Sequence, residues 1–319
     1  MPMESAIVGM NPFLKAVALP YARLELPGWQ RVMNRVAGHA HLADCPTVEM
    51  RGKLHGYRMT LQTADWCERW TFMLGRYYEA HTQMLFQKAL RSGDVFVDIG
   101  ANIGMTVLMA ARCVGPTGRV MAFEPNPRVY QRLADHVDRN GLRSMVDPRN
   151  CALGDIATEL ELHVPLHPGQ ATFAPMAADS EGRETMSVKV PVRVGDDELA
   201  ALPRGPLMIK IDTEGFECRV LAGLKRTLAE RSPAVVCEAV PSLLSRAGGS
   251  IEALFAMMHD AGFVGHAVQH EGGLVGFASG TLRLLGVKDP AALAASGADD
   301  CLWLKPGGEH ETRLRGMIV

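Results

Sequence analysis

The chain has 319 residues, of which 47% are hydrophobic and 21% charged, and its formal net charge is −2. This composition is ordinary for a globular protein, and the balanced charge excludes a global field that would attract nucleic acid or anionic lipid. The seven cysteines form no C-x-x-C pair, which favours reduced thiols over a disulfide framework or a zinc site. Without a signal-like start or a long apolar run, we expect a cytoplasmic protein with no membrane span.

Residues 1–80 are predicted to form an extension, either a lid or an oligomer contact. Residues 1–45 show a helical, loop-rich pattern, and "TVEMRGKLHGYRMTL" alternates as a β-hairpin would, with Gly52 and Gly56 available for its turn. A group of aromatic residues follows, and its spacing leaves two roles open, lining a sugar-like substrate or packing against the core. These residues are Trp66, Trp70, Tyr77 and Tyr78.

Residues 81–319 alternate apolar strands with helical patterns, which predicts a mostly parallel sheet covered by helices. Between the second and third strands, Asn126 and Pro127 suit a helix start and Asn140-Gly141 suits its end. The predicted strands are Val95–Ile99, Arg119–Phe123, Met145–Leu153, Leu207–Ile211, Ala234–Glu238, Phe263–Val268 and Cys301–Leu304.

The segment at about 158–194 interrupts this alternation. Its sequences "TELELHV" and "TMSVKVPVRV" are typical of strands, and they flank a Gly/Pro/Ala-rich loop at His167–Arg183. We predict a β-hairpin insertion that shapes a substrate pocket. A surface hairpin without ligand contact is the open alternative.

The stretch "VFVDIGANIG" is typical of a strand that enters a nucleotide-binding turn. A dinucleotide site would require glycines at the positions of Gly100, Asn102 and Met105, and only the first is a glycine. Asp98 suits a ligand with an ammonium group better than a pyrophosphate. Glu124, which closes the second strand, can accept two hydrogen bonds from a ribose diol. Together these features favour S-adenosylmethionine over a nicotinamide dinucleotide.

Five motifs together resemble one family. "VFVDIGANIG", "AFEPNP", "CALGD", "IKIDTEGFECRVLAG" and "VVCEA" occur in the order and spacing of the FkbM-type S-adenosylmethionine-dependent methyltransferases. The resemblance implies a class I methyltransferase fold, an α/β architecture with a Rossmann-like seven-stranded sheet, the last strand antiparallel and helices on both faces. It also implies O-methylation of a sugar or natural-product hydroxyl.

The resemblance also implies which residues bind the cofactor. The glycine turn forms the cofactor loop, Glu124 binds the ribose, Cys151 and Ala152 border the adenine, and Glu79 contacts the amino group. Cys151 stands where many class I enzymes carry an aspartate, so a side-chain bond to the adenine is not carried over. The full set is Glu79, Asp98, Gly100, Ala101, Asn102, Gly104, Glu124, Pro125, Cys151, Ala152 and Asp212.

Methyl transfer from a sulfonium is an in-line displacement, so positioning should supply most of the catalysis and a general base should activate an alcohol nucleophile. "KIDTEGFE" contains the densest candidates, Asp212, Lys210 and Glu214, and His81 is a further candidate base. The alternative roles are that Lys210 neutralises Asp212 and that Glu214 is a favourable first-turn charge of a helix. Magnesium held by Asp212 and Glu238 is a less favoured alternative, because the spacing offers no third ligand.

The leading hypothesis is an O-methyltransferase of a small hydroxylated molecule, with no nucleic-acid partner and with a homo-oligomer formed through the extension. One alternative is a nicotinamide-dependent oxidoreductase, against which Met105 argues. Another is a non-catalytic S-adenosylmethionine-binding subunit.

Overall fold

The chain divides into two compact units in the computed structural model. The first comprises the described residues up to Gln83 and those of His270–Leu282, and the second comprises those of Met84–Gln269 and Arg283–Val319. Most of residues 1–45 and the loop at His167–Arg183 lie outside the described residues. The described residues are 16–17, 19–29, 31, 47–165, 185–273 and 276–319.

The elements are numbered in chain order. The strands are β1 Val48–Arg51, β2 Arg58–Leu61, β3 Val95–Ile99, β4 Arg119–Phe123, β5 Val146–Arg149, β6 Ala152–Gly154, β7 Thr158–Pro165, β8 Thr185–Val194, β9 Leu207–Ile211, β10 Ala234–Glu238, β11 Val264–Gly273, β12 Gly276–Val287 and β13 Asp300–Leu304. The helices are α1 Leu19–Arg23, α2 Trp66–Leu74, α3 Ala80–Ala89, α4 Met105–Val114, α5 Pro127–Arg139, α6 Gly195–Glu198, α7 Glu217–Ala222, α8 Lys225–Arg231, α9 Pro241–Arg246, α10 Ile251–Asp260, α11 Pro290–Ser296 and α12 Glu309–Leu314. Among the described residues, no helix has the length and apolar character needed to span a membrane.

The first unit contains the predicted hairpin. Strands β1 and β2 pair antiparallel, with Val48 opposite Leu61, and the Gly52 N–H closes the turn by donating to the Tyr57 carbonyl at 3.0 Å. The alternating burial of β1 follows the period of two expected of a half-buried strand. The prediction of a hairpin in this extension is confirmed.

A buried ion-pair network orders the end of the first unit. The Arg76 guanidinium donates to both carboxylate oxygens of Glu25 at 2.9 Å, and Lys53 Nζ lies 2.6 Å from the same carboxylate. Arg76 also donates to the carbonyls of Tyr77 and Tyr78, so it fixes the chain just before Glu79. The two cations hold the pKa of Glu25 below its ordinary value although burial acts in the opposite direction.

The aromatic residues of the first unit pack on one another edge to face. Trp66 lies 6.2 Å from Trp70 and 5.1 Å from Tyr78 between ring centroids, and Trp29 lies 5.9 Å from Trp70. Such pairs stabilise a fold beyond the area that they bury. The rings therefore serve packing, and a part in a lid over substrate stays a prediction.

The large sheet runs in the order β12-β11-β13-β10-β9-β3-β4-β5 among the described residues. Strands β5, β4, β3, β9 and β10 are parallel, while β13 is antiparallel to both of its neighbours. All seven predicted strands contribute to this sheet, and the α/β fold class with an antiparallel last strand is confirmed. Strand β12 is an eighth, unpredicted strand, and the glycines that begin and interrupt it obscure its alternation.

The predicted third strand, Met145–Leu153, is wrong as a single element. It divides into β5 and β6, which belong to different sheets. Asn150 lies between them, and its side-chain amide donates to the carbonyls of Glu124 and Pro125 at 2.8 and 3.0 Å, which turns the chain. Strand β6 then joins β8 and β7, and the antiparallel β7–β8 pair confirms the predicted hairpin insertion.

The centre of the sheet is covered on both faces. All five side chains of β3 and all five of β9 are buried, and consecutive strand residues point to opposite faces. Phe96 meets Phe86 of α3 at a centroid distance of 4.9 Å, whereas Val95, Val97 and Ile99 belong to the main apolar cluster. This rigid double cover positions the strand ends that carry the polar residues described next.

Candidate active site

The turn after β3 requires glycine at position 100. Gly100 has φ +85°, and a Cβ added there would lie 1.8 Å from the backbone carbonyl oxygen of Asp212. The N–H groups of Gly100 and Ala101 both donate to the Phe123 carbonyl, at 3.0 and 2.9 Å. The turn is therefore fixed between the ends of β4 and β9, where its backbone approaches both strands closely.

Asn102 is a structural member of the turn rather than a lost glycine. It adopts φ +48°, a left-handed conformation that asparagine tolerates better than most residues. Its N–H donates to Glu124 Oε2 at 2.9 Å, and its side-chain oxygen accepts from the Ile103 N–H at 2.7 Å. Gly104 then begins α4, and a Cβ there would lie 2.5 Å from the side chain of Leu133 of α5, so the start of α4 packs closely against α5.

Glu124 is held in one orientation by backbone amides. Its two oxygens accept from the N–H groups of Asn102 and Asn126 at 2.9 and 2.8 Å, and the residue is 8% exposed. Burial raises the pKa of this carboxyl to about 7, against the two hydrogen bonds, and the nearby charges of Asp98 and Asp212 add to the rise. Each oxygen keeps a further lone pair for a hydroxyl donor.

Beyond the end of β5, the chain forms an apolar wall. Cys151 and Ala152 are both buried, and burial raises the pKa of the Cys151 thiol to about 11. A neutral thiol and a methyl group suit the face of an adenine ring. The Pro125 carbonyl is already bonded to Asn150.

Asp98 lies beneath the glycine turn. It is 0% exposed, and the Thr106 hydroxyl donates to it at 2.5 Å. In the β3–β9 register it stands directly opposite Lys210, so the two side chains share one face of the sheet. A direct contact of Asp98 with an amino-acid head group stays a prediction.

Lys210 and Asp212 form an ion pair, as expected if Lys210 serves to neutralise Asp212. Lys210 Nζ lies 2.7 Å from Asp212 Oδ2, with side-chain exposures of 4% and 28%. The two residues share a strand face because they are two positions apart. The expected pairing of Lys210 with Asp212 is therefore present, and Asp212 stays partly exposed.

Glu214 does not occupy the first turn of a helix, so that alternative was wrong. Its φ is +55° and that of Gly215 is +109°, while α7 begins only at Glu217. A single oxygen of the buried Glu217 accepts from the N–H groups of Thr213 and Gly215 at 2.9 and 3.2 Å. Glu217 thus stabilises the left-handed loop. The left-handed conformation of a non-glycine residue such as Glu214 costs about 1–3 kcal/mol, and such strain is common at functional sites.

Three carboxylates meet at the ends of β9 and β10. Ligand-type oxygens of Asp212, Glu214 and Glu238 all lie within 4.8 Å of one another. Burial raises the pKa of Glu214 to about 8 and that of Glu238 to about 9, and the neighbouring negative charges add to both shifts. The cluster therefore retains protons at neutral pH. Glu214 supplies the third carboxylate that the sequence spacing did not reveal.

Two candidates lie in the first unit. Glu79 accepts from the Tyr77 hydroxyl at 3.0 Å and from the Thr82 hydroxyl at 2.9 Å. His81 is half-buried in the first turn of α3. The contact of Glu79 with a cofactor amino group and the part of His81 as a base stay predictions.

The chain is similar to known methyltransferases. Residues 98–264 match the family described as the methyltransferase FkbM domain. Methyltransferase sdnD of Sordaria araneosa is 32% identical over 46% of this chain and 67% of its own length. Hexuronic acid methyltransferase AglP of Haloferax volcanii is 28% identical over 56% and 70%, and 31-O-demethyl-FK506 methyltransferase FkbM of Streptomyces tacrolimicus is 29% identical over 54% and 74%.

Solved structures with similar folds include two methyltransferases. Methyltransferase FkbM from Methylobacillus flagellatus has a TM-score of 0.39 and 15% identity, over 86% of this chain and 60% of its own. An O-methyltransferase from Bacillus cereus has a TM-score of 0.38 and 14% identity, over 70% and 78%.

Proposed function

Because the chain belongs to the FkbM methyltransferase family, and so is an S-adenosylmethionine-dependent methyltransferase, we propose that it methylates a hydroxyl oxygen of a small molecule. The observation that carries the proposal is the acidic rim at one edge of the sheet. Glu124 stands just beyond the carboxyl end of β4, and Asp212, Glu214 and Glu238 stand at or just beyond the carboxyl ends of β9 and β10, with β3 lying between β4 and β9.

The residues at this edge fit S-adenosylmethionine better than a dinucleotide. The carboxylate of Glu124 is aligned by two amides and can accept from a ribose diol. The charges of Asp98 and Asp212 already raise its pKa, so a pyrophosphate placed here would add further repulsion. A sulfonium and an ammonium group would instead relieve that repulsion, which argues against the nicotinamide alternative.

When bound, S-adenosylmethionine supplies an electrophilic methyl group. The chain then has to orient the acceptor hydroxyl and remove its proton. Asp212, which is paired with Lys210, can accept a hydrogen bond from that hydroxyl and then its proton. Glu214 and Glu238 lie within the same 4.8 Å cluster, and because their raised pKa values keep them protonated at neutral pH, they can donate hydrogen bonds that orient the acceptor. A base such as Asp212 contributes about 10² to 10⁴-fold.

The acceptor class is supported by the relatives. One is named for a 31-O-demethyl compound and another for a hexuronic acid, so both names describe oxygen-rich acceptors. A sugar or another hydroxylated metabolite fits the same chemistry here. A small-molecule acceptor also agrees with the net charge of −2, because this charge offers no general attraction to nucleic acid.

Magnesium remains the less favoured alternative at the acid cluster. Three carboxylates are suitable ligands for it, but Lys210 already occupies one side of Asp212. We expect a chelator such as EDTA to leave the methylation rate unchanged. Loss of activity with EDTA, restored by added Mg²⁺, would instead assign the cluster to a metal.

Calorimetric titration with S-adenosylmethionine, S-adenosylhomocysteine and NAD tests the cofactor. We expect binding of the first two and none of NAD. A screen of hydroxylated acceptors with labelled methyl donor then separates an enzyme from a non-catalytic binding subunit. Failure to bind S-adenosylmethionine would remove the basis of the proposal, and binding without any methylated product would favour the subunit.

A further inference from the structure

A cavity of about 470 Å³ lies beside the acid cluster in the second unit. Its size falls within the range of roughly 300–1,000 Å³ that is usual for small-molecule sites. Strand β7 of the hairpin insertion forms one wall, and Phe216 and the end of α9 form the other. The lining residues are Leu160, Glu161, His163, Phe216, Arg246, Ala247 and Gly248.

The left-handed loop connects the wall of the cavity to the acid cluster. Phe216 is separated from Glu214 only by Gly215, and a Cβ on Gly215 would lie 2.3 Å from the Leu243 carbonyl of α9. The loop that carries Glu214 is therefore packed directly against the helix that ends in Arg246. The positive charge of Arg246 also acts to lower the pKa of Glu214, so the two groups interact electrostatically.

Arg246 is the cation of this cavity. Its Nε donates to the Ser242 carbonyl at 3.2 Å, and it forms no salt bridge with any acid of the described residues. The Nε contact leaves the outer N–H groups of the guanidinium directed away from that bond. A guanidinium presents paired donors that match a carboxylate or a phosphate.

The other walls suit a sugar ring. Leu160 and Phe216 provide apolar surface for ring C–H groups. Glu161 and His163 provide polar atoms for hydroxyls, and His163 Nδ1 lies 3.1 Å from the Ser187 hydroxyl of β8, which orients its ring. This combination of apolar walls and few placed polar groups is usual for small-ligand sites.

We infer that this cavity binds the methyl acceptor and that the acceptor is a hydroxylated, sugar-like molecule with an oxyanion, which Arg246 binds. The inference rests on the proposed function and names its substrate class. Arg246 then acts as a specificity residue, because it anchors the oxyanion at one end of the cavity while a hydroxyl reaches Asp212 and Glu214 at the other.

The test is ligand-observed NMR on the S-adenosylhomocysteine-loaded protein, titrated with D-glucuronate, D-glucose 6-phosphate and D-glucose. We expect at least one of the two oxyanion sugars to bind about tenfold or more tightly than glucose, since a charge-assisted bond is lost with the neutral sugar. The better of the two identifies the oxyanion as a carboxylate or a phosphate. In Arg246→Gln the preference should disappear, and in Arg246→Lys it should be partly retained.

Arg112→Gln is the matched control. Arg112, like Arg246, is an exposed arginine in the last turn of a helix, but α4 runs away from the cofactor turn, toward the opposite edge of the sheet. The Arg112→Gln variant should keep the full preference for the oxyanion sugar over glucose. Equal binding of the three sugars, no binding of any, or an unchanged preference in Arg246→Gln would each overturn the inference. Binding of S-adenosylhomocysteine is measured in the same samples. If it binds while the sugars show no preference, only this inference fails; if it does not bind, the proposed function fails as well.

Discussion

The two acidic regions of the candidate active site differ in what surrounds their carboxyl groups. Glu124 stands at the end of β4, where both oxygens accept backbone N–H groups at fixed distances. Asp212, Glu214 and Glu238 stand at the ends of β9 and β10, where their carboxyl groups face one another and Lys210 pairs with Asp212. The first region is organised by the backbone, and the second by side chains under mutual repulsion.

This difference supports the proposal that the first region binds the cofactor and the second takes part in the reaction. A carboxylate aligned by amides is prepared for a ligand and changes little when the ligand arrives. In the cluster, burial and neighbouring negative charges raise the pKa values of Glu214 and Glu238 to about 8 and about 9, so these groups hold protons at neutral pH beside Asp212 and can share them with a reacting group. The following substitutions separate the two roles.

The largest effect is expected from Gly100→Ala, because Gly100 lies in the glycine turn and contacts the backbone of Asp212 in the acid cluster. Its new Cβ would lie 1.8 Å from the Asp212 carbonyl, so both the turn and the end of β9 must move. Because a displacement of about 1 Å costs on the order of 10²-fold in a positioned site, we expect S-adenosylmethionine affinity to fall about 100-fold or more. Calorimetry measures this, and circular dichroism checks the fold.

Gly93→Ala is the control for that experiment. Gly93 has φ +91°, close to the +85° of Gly100, but its added Cβ would meet only the Thr117 hydroxyl at 3.8 Å. It carries the same backbone strain, about 1–2 kcal/mol, without the clash. If the two folded variants bind S-adenosylmethionine equally well, the glycine turn is not the cofactor site.

Asp212→Asn tests whether the second region carries the chemistry. We expect kcat to fall by about 10² to 10⁴-fold, because the carboxylate that accepts the hydroxyl proton is lost, while cofactor affinity changes less than about tenfold. Asp155→Asn provides a matched control, since Asp155 is 29% exposed and pairs with Arg219 at 2.9 Å, much as Asp212 is 28% exposed and pairs with Lys210. An active Asp212→Asn variant would refute the assignment.

The binding region could be predicted from sequence because its determinants are local. The glycine turn, Asn102 and the acid that closes β4 lie on short stretches whose backbone geometry follows from residue type. The Lys210–Asp212 pair was likewise accessible, since residues two apart share a strand face.

The reactive region could be predicted only in part, because it depends on pairing between distant segments. Glu214 and Glu238 meet because β9 and β10 are neighbours and because the backbone at Glu214 is left-handed. Non-glycine residues rarely adopt that conformation, so the pattern favoured a helix start instead. The role of Glu217 and the position of Arg246 beside the loop likewise required the tertiary structure.

Glu124→Gln tests the binding region with a smaller expected effect. We expect S-adenosylmethionine affinity to fall about tenfold to a hundredfold, the usual range for a hydrogen bond to a charged group, with little change in kcat at saturation. In the unsubstituted protein, affinity should also decline as the pH falls through about 7, where Glu124 gains a proton and loses acceptor capacity. The variant should lack this decline.

Titrations at pH 6, 7 and 8 supply the measurement, with Glu230→Gln, a change of an exposed acid on α8, as the control. A pH dependence that persists in Glu124→Gln would assign it to another group.

The smallest effect concerns stability and comes from Glu238→Gln. The pKa of Glu238 in the folded protein is about 9, above its ordinary value of 4.5, so the folded state binds more protons than the unfolded state between these values. Stability therefore falls as the pH rises through this window. The variant removes that loss and also relieves repulsion at Glu214.

The melting temperature of Glu238→Gln, relative to that of the parent, should rise steadily from pH 6 to pH 9, whereas the melting temperature of Glu230→Gln should follow the pH dependence of the parent. If the melting temperatures of Glu238→Gln and the parent had the same pH dependence, Glu238 would not have a raised pKa in the folded protein. The acid cluster would then not differ from the Glu124 region in its electrostatic repulsion.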